Sequence, residues 1–139
     1  MMVGIVGHEA AKFTPETEAA AKKIIRDLLT PEDAVLVSGG CHLGGIDIWA
    51  EEIADELGRE KVIFRPEALR WGAPGGYRER NEAIARTSDV VYCIVVKKLP
   101  EDFRGRRHTV CYHCGTTTHV KSGGCWTAKK AAQGRWYEV

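Results

Sequence analysis

Four soft metal ligands fall close together near the C-terminal end of the sequence: Cys111, Cys114, His119 and Cys125, a Cys-x2-Cys-x4-His-x5-Cys series. Thiolate sulfur and imidazole nitrogen are the donors zinc prefers, and a two-residue gap lets one tight turn bring two thiolates to the same ion. Four protein donors fill a tetrahedron, so the spacing predicts a structural Zn2+ site over a loop of about residues 108–125. His113 is an alternative donor, and a three-ligand site with an open position would allow zinc to activate water instead. The plain alternative is a set of free cysteines around ordinary turns.

A second chemical signal is glycine. Ser38-Gly39-Gly40 with Gly44-Gly45, and again Ser122-Gly123-Gly124, each precede a helical pattern. Without side chains a ligand can approach the backbone amides, and the helix N-terminus adds positive potential, so both turns read as halves of one phosphate-binding pocket. The competing reading is a pair of tight strand-to-helix turns that bind nothing. Neither turn is followed by Gly-Lys-Ser/Thr and neither is Gly-x-Gly-x-x-Gly, which weakens an ATPase or dehydrogenase reading.

Polar residues nearby extend the pocket. Asp47 falls in the first turn of the helix after Gly45, where it can receive a ribose hydroxyl or simply favour the helix dipole. Arg80 can fork onto a phosphate and Asn81 onto a base or sugar edge, although a solvated helix face explains both. Asp47 and Glu79 are the candidate catalytic carboxylates should the pocket be one that cleaves a glycosidic bond. Cys41 lies at a helix start where a thiolate could be stabilised, and Cys93 lies in an apolar run as a small core residue.

The elements that must position these residues alternate in type. Val3–Val6, Ala34–Val37, Val62–Phe64 and Val90–Val96 are short apolar runs that read as buried strands. Between them, Pro15–Leu29, the segment from Ile46 to Leu57 and about Tyr77–Thr87 carry helical spacing, with Thr14 placed to cap the first and Gly58 to end the second. Cys125–Ala132 and Arg135–Val139 supply a last helix and a closing strand. Parallel neighbours need right-handed crossovers, so the order predicts a Rossmann-like, doubly wound parallel sheet of about five strands. Residues 97–121 have no period, and the expected zinc site would organise this loop before the last helix.

Composition agrees with one domain over 1–139. With 44% hydrophobic and 28% charged residues there is material for a core and no case for wholesale disorder. Twenty Lys and Arg against 19 Asp and Glu argue against a global positive field for nucleic acid. The N-terminal apolar run has no basic leader or cleavage site, and no stretch of about 18 apolar residues could span a membrane. Cytoplasmic residence, without a membrane partner, is the expectation; five cysteines then argue for metal rather than disulfides.

Ser38-Gly39-Gly40, Gly44-Gly45-Ile46-Asp47, Arg80-Asn81 and Ser122-Gly123-Gly124-x-x-Thr127-Ala128 together resemble the SLOG superfamily of Rossmann-like proteins, which includes the Smf/DprA and LOG groups. The resemblance covers nearly the whole chain. It implies a nucleotide or nucleotide-derived ligand, adds Thr127 to the binding residues, and is compatible with a homo-oligomer. The LOG branch cleaves the N-glycosidic bond of nucleoside monophosphates through a Pro-Gly-Gly-x-Gly-Thr-x-x-Glu motif. This sequence lacks that glutamate, so binding is the primary expectation and a LOG-like hydrolase the alternative. The Cys/His series also resembles a retroviral-type zinc knuckle with its last spacing one residue longer, and Tyr112 and Gly115 match that pattern. This resemblance, beside Lys97, Lys98, Arg104, Arg106, Arg107 and Lys121, makes single-stranded nucleic acid a second alternative partner.

Overall fold

In a computed structural model of the chain, which describes residues 1–108 and 110–139, the apolar runs form one parallel sheet. Its strands are β1 (Met2–Gly7), β2 (Val35–Ser38), β3 (Glu60–Ile63), β4 (Val90–Val95) and β5 (Gly134–Glu138), in the order β3-β2-β1-β4-β5. Position 109, within the expected zinc loop, lies outside the described residues. The helices are α1 (Pro15–Leu29), α2 (Ile46–Leu57), α3 (Tyr77–Thr87) and α4 (Gly123–Lys130), with a short 3-10 turn at Ala10–Lys12. The chain winds outward through β1, β2 and β3, then returns past β1 to build β4 and β5. That reversal puts the topological switch point between the carboxyl ends of β1 and β4, where doubly wound folds open a crevice.

Side chains alternate along each strand, so the sheet feeds two cores. Val3, Ile5, Leu36 and Ile94 pack with Ile25 and Leu29 of α1 and with Ile46, Trp49 and Ile53 of α2. Val6, Val37, Val91, Cys93 and Val95 point the other way, against Ile84 of α3 and Cys125 and Ala128 of α4. The helices therefore cover opposite faces in pairs.

The expected ends of α1, α2 and α3 hold. The Thr14 hydroxyl accepts from the Thr17 amide at 3.1 Å, while the Thr14 amide donates to the Thr17 hydroxyl at 2.8 Å, a reciprocal cap that starts α1. Gly58 ends α2 in the left-handed region, at φ 70°. Strand ends differ from the periodicity by one or two residues and α4 ends at Lys130 rather than Ala132, and two of the shifted starts have a visible cause. β3 begins at Glu60 because its pairing with β2 runs from Val35↔Glu60 to Ser38↔Ile63. An edge strand is half solvated, so polar Glu60 and Lys61 can join the ladder. α4 begins at Gly123 because the Ser122 hydroxyl accepts from the Gly124 amide at 3.1 Å and caps the helix two residues early.

The segment without periodicity is tied at both ends: Lys97 donates to the carbonyl of Val139 at 2.9 Å and Val120 to that of Val96 at 2.9 Å. Among the described residues no helix is long and apolar enough to cross a membrane.

Candidate metal centre and ligand crevice

The predicted four donors come together. One ligand atom from each of Cys111, Cys114, His119 and Cys125 lies within 4.8 Å of all the others. The turn that gathers them is local. The amides of Cys114 and Gly115 donate to the Cys111 carbonyl at 3.1 and 2.8 Å, Cys111 donates to the Thr116 carbonyl at 2.9 Å, and Gly115 takes the left-handed conformation, φ 67°, that closes the turn. His119 turns Nε2 toward Cys125 Sγ at 3.4 Å, while its Nδ1 sits 3.1 Å from Glu138 Oε2 on β5. A carboxylate on the far nitrogen fixes ring orientation and tautomer, as around metal-ligating histidines generally. His113 is outside the group; its ring packs on Tyr112 with centroids 4.5 Å apart.

The chemistry of the cluster fits a cation. All five cysteines are free. Burial pushes the Cys111 thiol up, but hydrogen bonds from the backbone at Ser122 and Cys114 and from His119 and Cys125 outweigh it and bring it to about 7. The Cys114 thiol is pushed up to about 12 by burial and by its sulfur neighbours, and that of Cys125 is raised by its contact with Cys93 and by burial. Thiols this close cannot all ionise alone; a divalent cation removes the conflict by binding the thiolates. Cys93, with its sulfur 3.9 Å from that of Cys125, is fully buried in the core, as expected from its apolar run.

A cavity of about 230 Å³ lies at the carboxyl end of β1, walled by Gly7, α2, α3 and α4. Of the sequence-predicted binding residues, Asp47, Arg80, Asn81, Gly123, Gly124 and Thr127 line it. Ser38, Gly39 and Gly40 lie behind this wall and organise it. Arg80 Nη1 donates to the Gly39 carbonyl at 2.5 Å and Nε to Asn81 Oδ1 at 2.7 Å. Asp47 Oδ2 accepts from the Cys41 amide at 3.1 Å, and the Ser38 hydroxyl accepts from the Gly40 amide at 3.4 Å. Gly44 and Gly45 serve packing: both have positive φ, and a Cβ on Gly45 would collide with the carbonyl oxygen of His8.

Burial lifts the Asp47 carboxyl to about 6, against the opposing pull of the Arg80 guanidinium and the Cys41 amide. Glu79, the other candidate carboxylate, accepts from the Gly75 amide at 2.9 Å and is not among the cavity-lining residues. Cys41 reaches the cavity, but burial first, with the Asp47 carboxylate among the further causes, raises its thiol, the direction opposite to an activated nucleophile. Thr127 is almost fully buried, and its Oγ1 has no hydrogen-bond partner among the described residues. Ser122 does not reach the cavity wall; its hydroxyl caps the helix that presents Gly123 and Gly124.

Three contributors escaped the sequence reading. His8 is buried, accepts from the Val96 amide at Nδ1, 3.0 Å, and donates from Nε2 to the Lys121 carbonyl at 2.9 Å. Its own carbonyl accepts from the Ile46 amide at 3.2 Å. One neutral ring thus joins β1 to β4 and to the segment leading into the second glycine turn. Trp71 and Tyr77 add aromatic residues to the cavity lining. The hint for His8 was its position directly after the Gly7 end of a strand; the glycine-rich loop around Trp71 offered no period to place it.

No family model and no curated protein matches the sequence. Among solved structures, TM1055, a structural-genomics target, is similar over 68% of this chain and 60% of its own, with a TM-score of 0.52 and 21% identity. DNA processing protein A (DprA) from Streptococcus pneumoniae is similar over 98% of this chain and 58% of its own, with a TM-score of 0.52 and 14% identity. The chain thus spans about three fifths of the length of each. Both likenesses bear out the Rossmann-like fold implied by the motif resemblance to the SLOG superfamily, and the second structure carries the name of one of that superfamily's groups.

Proposed function

We propose that the chain is a nucleotide-binding module of SLOG type, carrying a structural zinc ion that holds its second glycine turn. The observation that carries the reading is Thr127. A buried hydroxyl without a partner costs about 1–3 kcal/mol, and Thr127, which carries this one, is among the cavity-lining residues with Gly123 and Gly124 of the first turn of α4. A phosphate oxygen there would accept from the hydroxyl near the positive end of the helix, whose Gly124 amide is already held by the Ser122 hydroxyl. Arg80, whose Nε and Nη1 are already anchored, adds a fixed positive charge to the same cavity. The volume, about 230 Å³, is below the usual range for drug-sized ligands and suits a mononucleotide better than a dinucleotide.

Three thiolates and an imidazole in a compact group are the donor set of structural zinc, with no position left for a reacting water. Because Cys125 belongs to α4 and follows Gly124 directly, metal binding and the geometry of the second turn are one event.

Calorimetric titration with nucleoside monophosphates tests the binding reading. Thr127→Val keeps the shape and removes the hydroxyl, and a loss of affinity of about tenfold is expected, near the value of one hydrogen bond to a charged group. No binding by the unaltered protein, or none of this loss in the variant, overturns it. A hydrolase is the second reading, favoured by Asp47: a cavity-lining carboxyl held at about 6 can carry a proton to a leaving group near neutral pH. Released base that vanishes in Asp47→Asn would establish it.

A further inference from the structure

Resting on the nucleotide-binding reading, we infer that Trp71 is the specificity-determining residue of the cavity, a stacking platform for the base of the bound nucleotide. The cavity lining combines two chemistries. Arg80, Thr127 and the α4 amino terminus suit an anion, whereas Trp71 and Tyr77 offer aromatic surface. A phosphate alone has no use for the aromatic surface; a phosphate joined to a planar ring system uses both.

Trp71 is available for stacking. Its ring meets that of Trp126 edge to face, at 87° and 4.9 Å between centroids, so this contact takes at most one of its faces. The side chain remains 46% exposed while lining the cavity. Tyr77 is a poorer platform because the Arg80 guanidinium already stands over its ring, 5.4 Å from the centroid.

Trp71 is also held in position, which distinguishes a platform from a chance surface aromatic. The first amides of a helix lack partners within it. In α3 the loop supplies them: Tyr77 donates to the Arg70 carbonyl at 2.9 Å and Arg78 to the Trp71 carbonyl at 3.0 Å. Capping α3 therefore fixes the backbone of the residue that carries the indole. Stacking by an ordered ring loses little freedom on binding, and it tolerates any base because every base has a π face. The platform selects for a base over none, rather than for one base over another.

The test is calorimetry on the full zinc-loaded chain with three probes: adenosine 5′-monophosphate, ribose 5-phosphate and inorganic phosphate. The wild-type protein is expected to bind adenosine 5′-monophosphate at least about tenfold more tightly than ribose 5-phosphate. Trp71→Ala should abolish that difference while leaving ribose 5-phosphate affinity unchanged, and Trp71→Phe should restore most of it. A circular-dichroism melt of each variant verifies that an exposed loop residue has been changed without loss of the fold. If Trp71→Ala weakens both sugar phosphates equally, or weakens neither, the stacking role is overturned and nucleotide binding stands. If none of the three probes binds the wild-type protein, the nucleotide reading falls and the platform with it.

Discussion

At the residue scale, His8 does what a hydrophobic side chain at the same place could not. It satisfies the Val96 amide and the Lys121 carbonyl at once, and only the neutral ring, protonated at Nε2, can do both. Burial holds its pKa at about 4, below the ordinary value of 6.5. The unfolded chain therefore binds a proton more readily than the folded one. The stabilisation is complete above about pH 6.5 and is lost as pH falls toward 4, a swing of about 3 kcal/mol. Asp47, whose carboxyl is raised to about 6, contributes the opposite trend over the same window, so the His8 contribution is read from the difference between two proteins. In urea unfolding, His8→Gln should be less stable than the wild type at pH 7 and the gap should narrow toward pH 5; parallel profiles would refute the assignment.

The elements show how little room the crevice leaves. α4 approaches the sheet, and the loop around residues 70–73 approaches the start of α3, closely enough to favour glycine at both helix starts. A Cβ on Gly124 would stand 3.1 Å from the Gly7 amide and from Cys93 Sγ. At Gly76 a Cβ would collide with the backbone carbonyl of Arg70, which caps Tyr77. Gly76→Ala is thus expected to lift the loop carrying Trp71 from the amino end of α3, at a cost of about 1–3 kcal/mol. Faster proteolysis within residues 65–76 and a lower melting temperature are the readouts. Wild-type behaviour in both would mean that the loop accommodates the methyl group.

For the whole molecule, the Cys/His cluster and the crevice are neighbours on one helix. Cys125 faces the donor cluster, while Gly123, Gly124 and Thr127 face the cavity. Glu138 of β5 reaches His119 from the sheet edge, so the cluster joins the loop, α4 and the last strand. Stripping the metal with a strong chelator should lower the melting temperature and weaken nucleoside monophosphate binding together, and restored zinc should recover both. Retention of full affinity by the metal-free protein would separate the centre from the crevice. Metal analysis of the same samples should give one zinc per chain.

Much of this was legible from local pattern alone. The ends of α1, α2 and α3, the parallel sheet and all four clustered metal donors were readable, because helical spacing, caps and a two-residue cysteine gap act over a few residues. The two glycine turns were legible as helix starts but not in their separate duties. Gly123 and Gly124 face the cavity, whereas Gly44 and Gly45 have positive φ and Gly45 abuts the backbone after β1. Which glycine faces a ligand depends on what packs against it, and that is a long-range fact. The same holds for Asp47, Arg80, His8 and Trp71, whose partners lie across the sheet or in a loop without a period. Sequence by itself determined the elements and the donor set. Tertiary structure decided which polar groups are already satisfied by the protein and which, like the Thr127 hydroxyl, have no partner among the described residues.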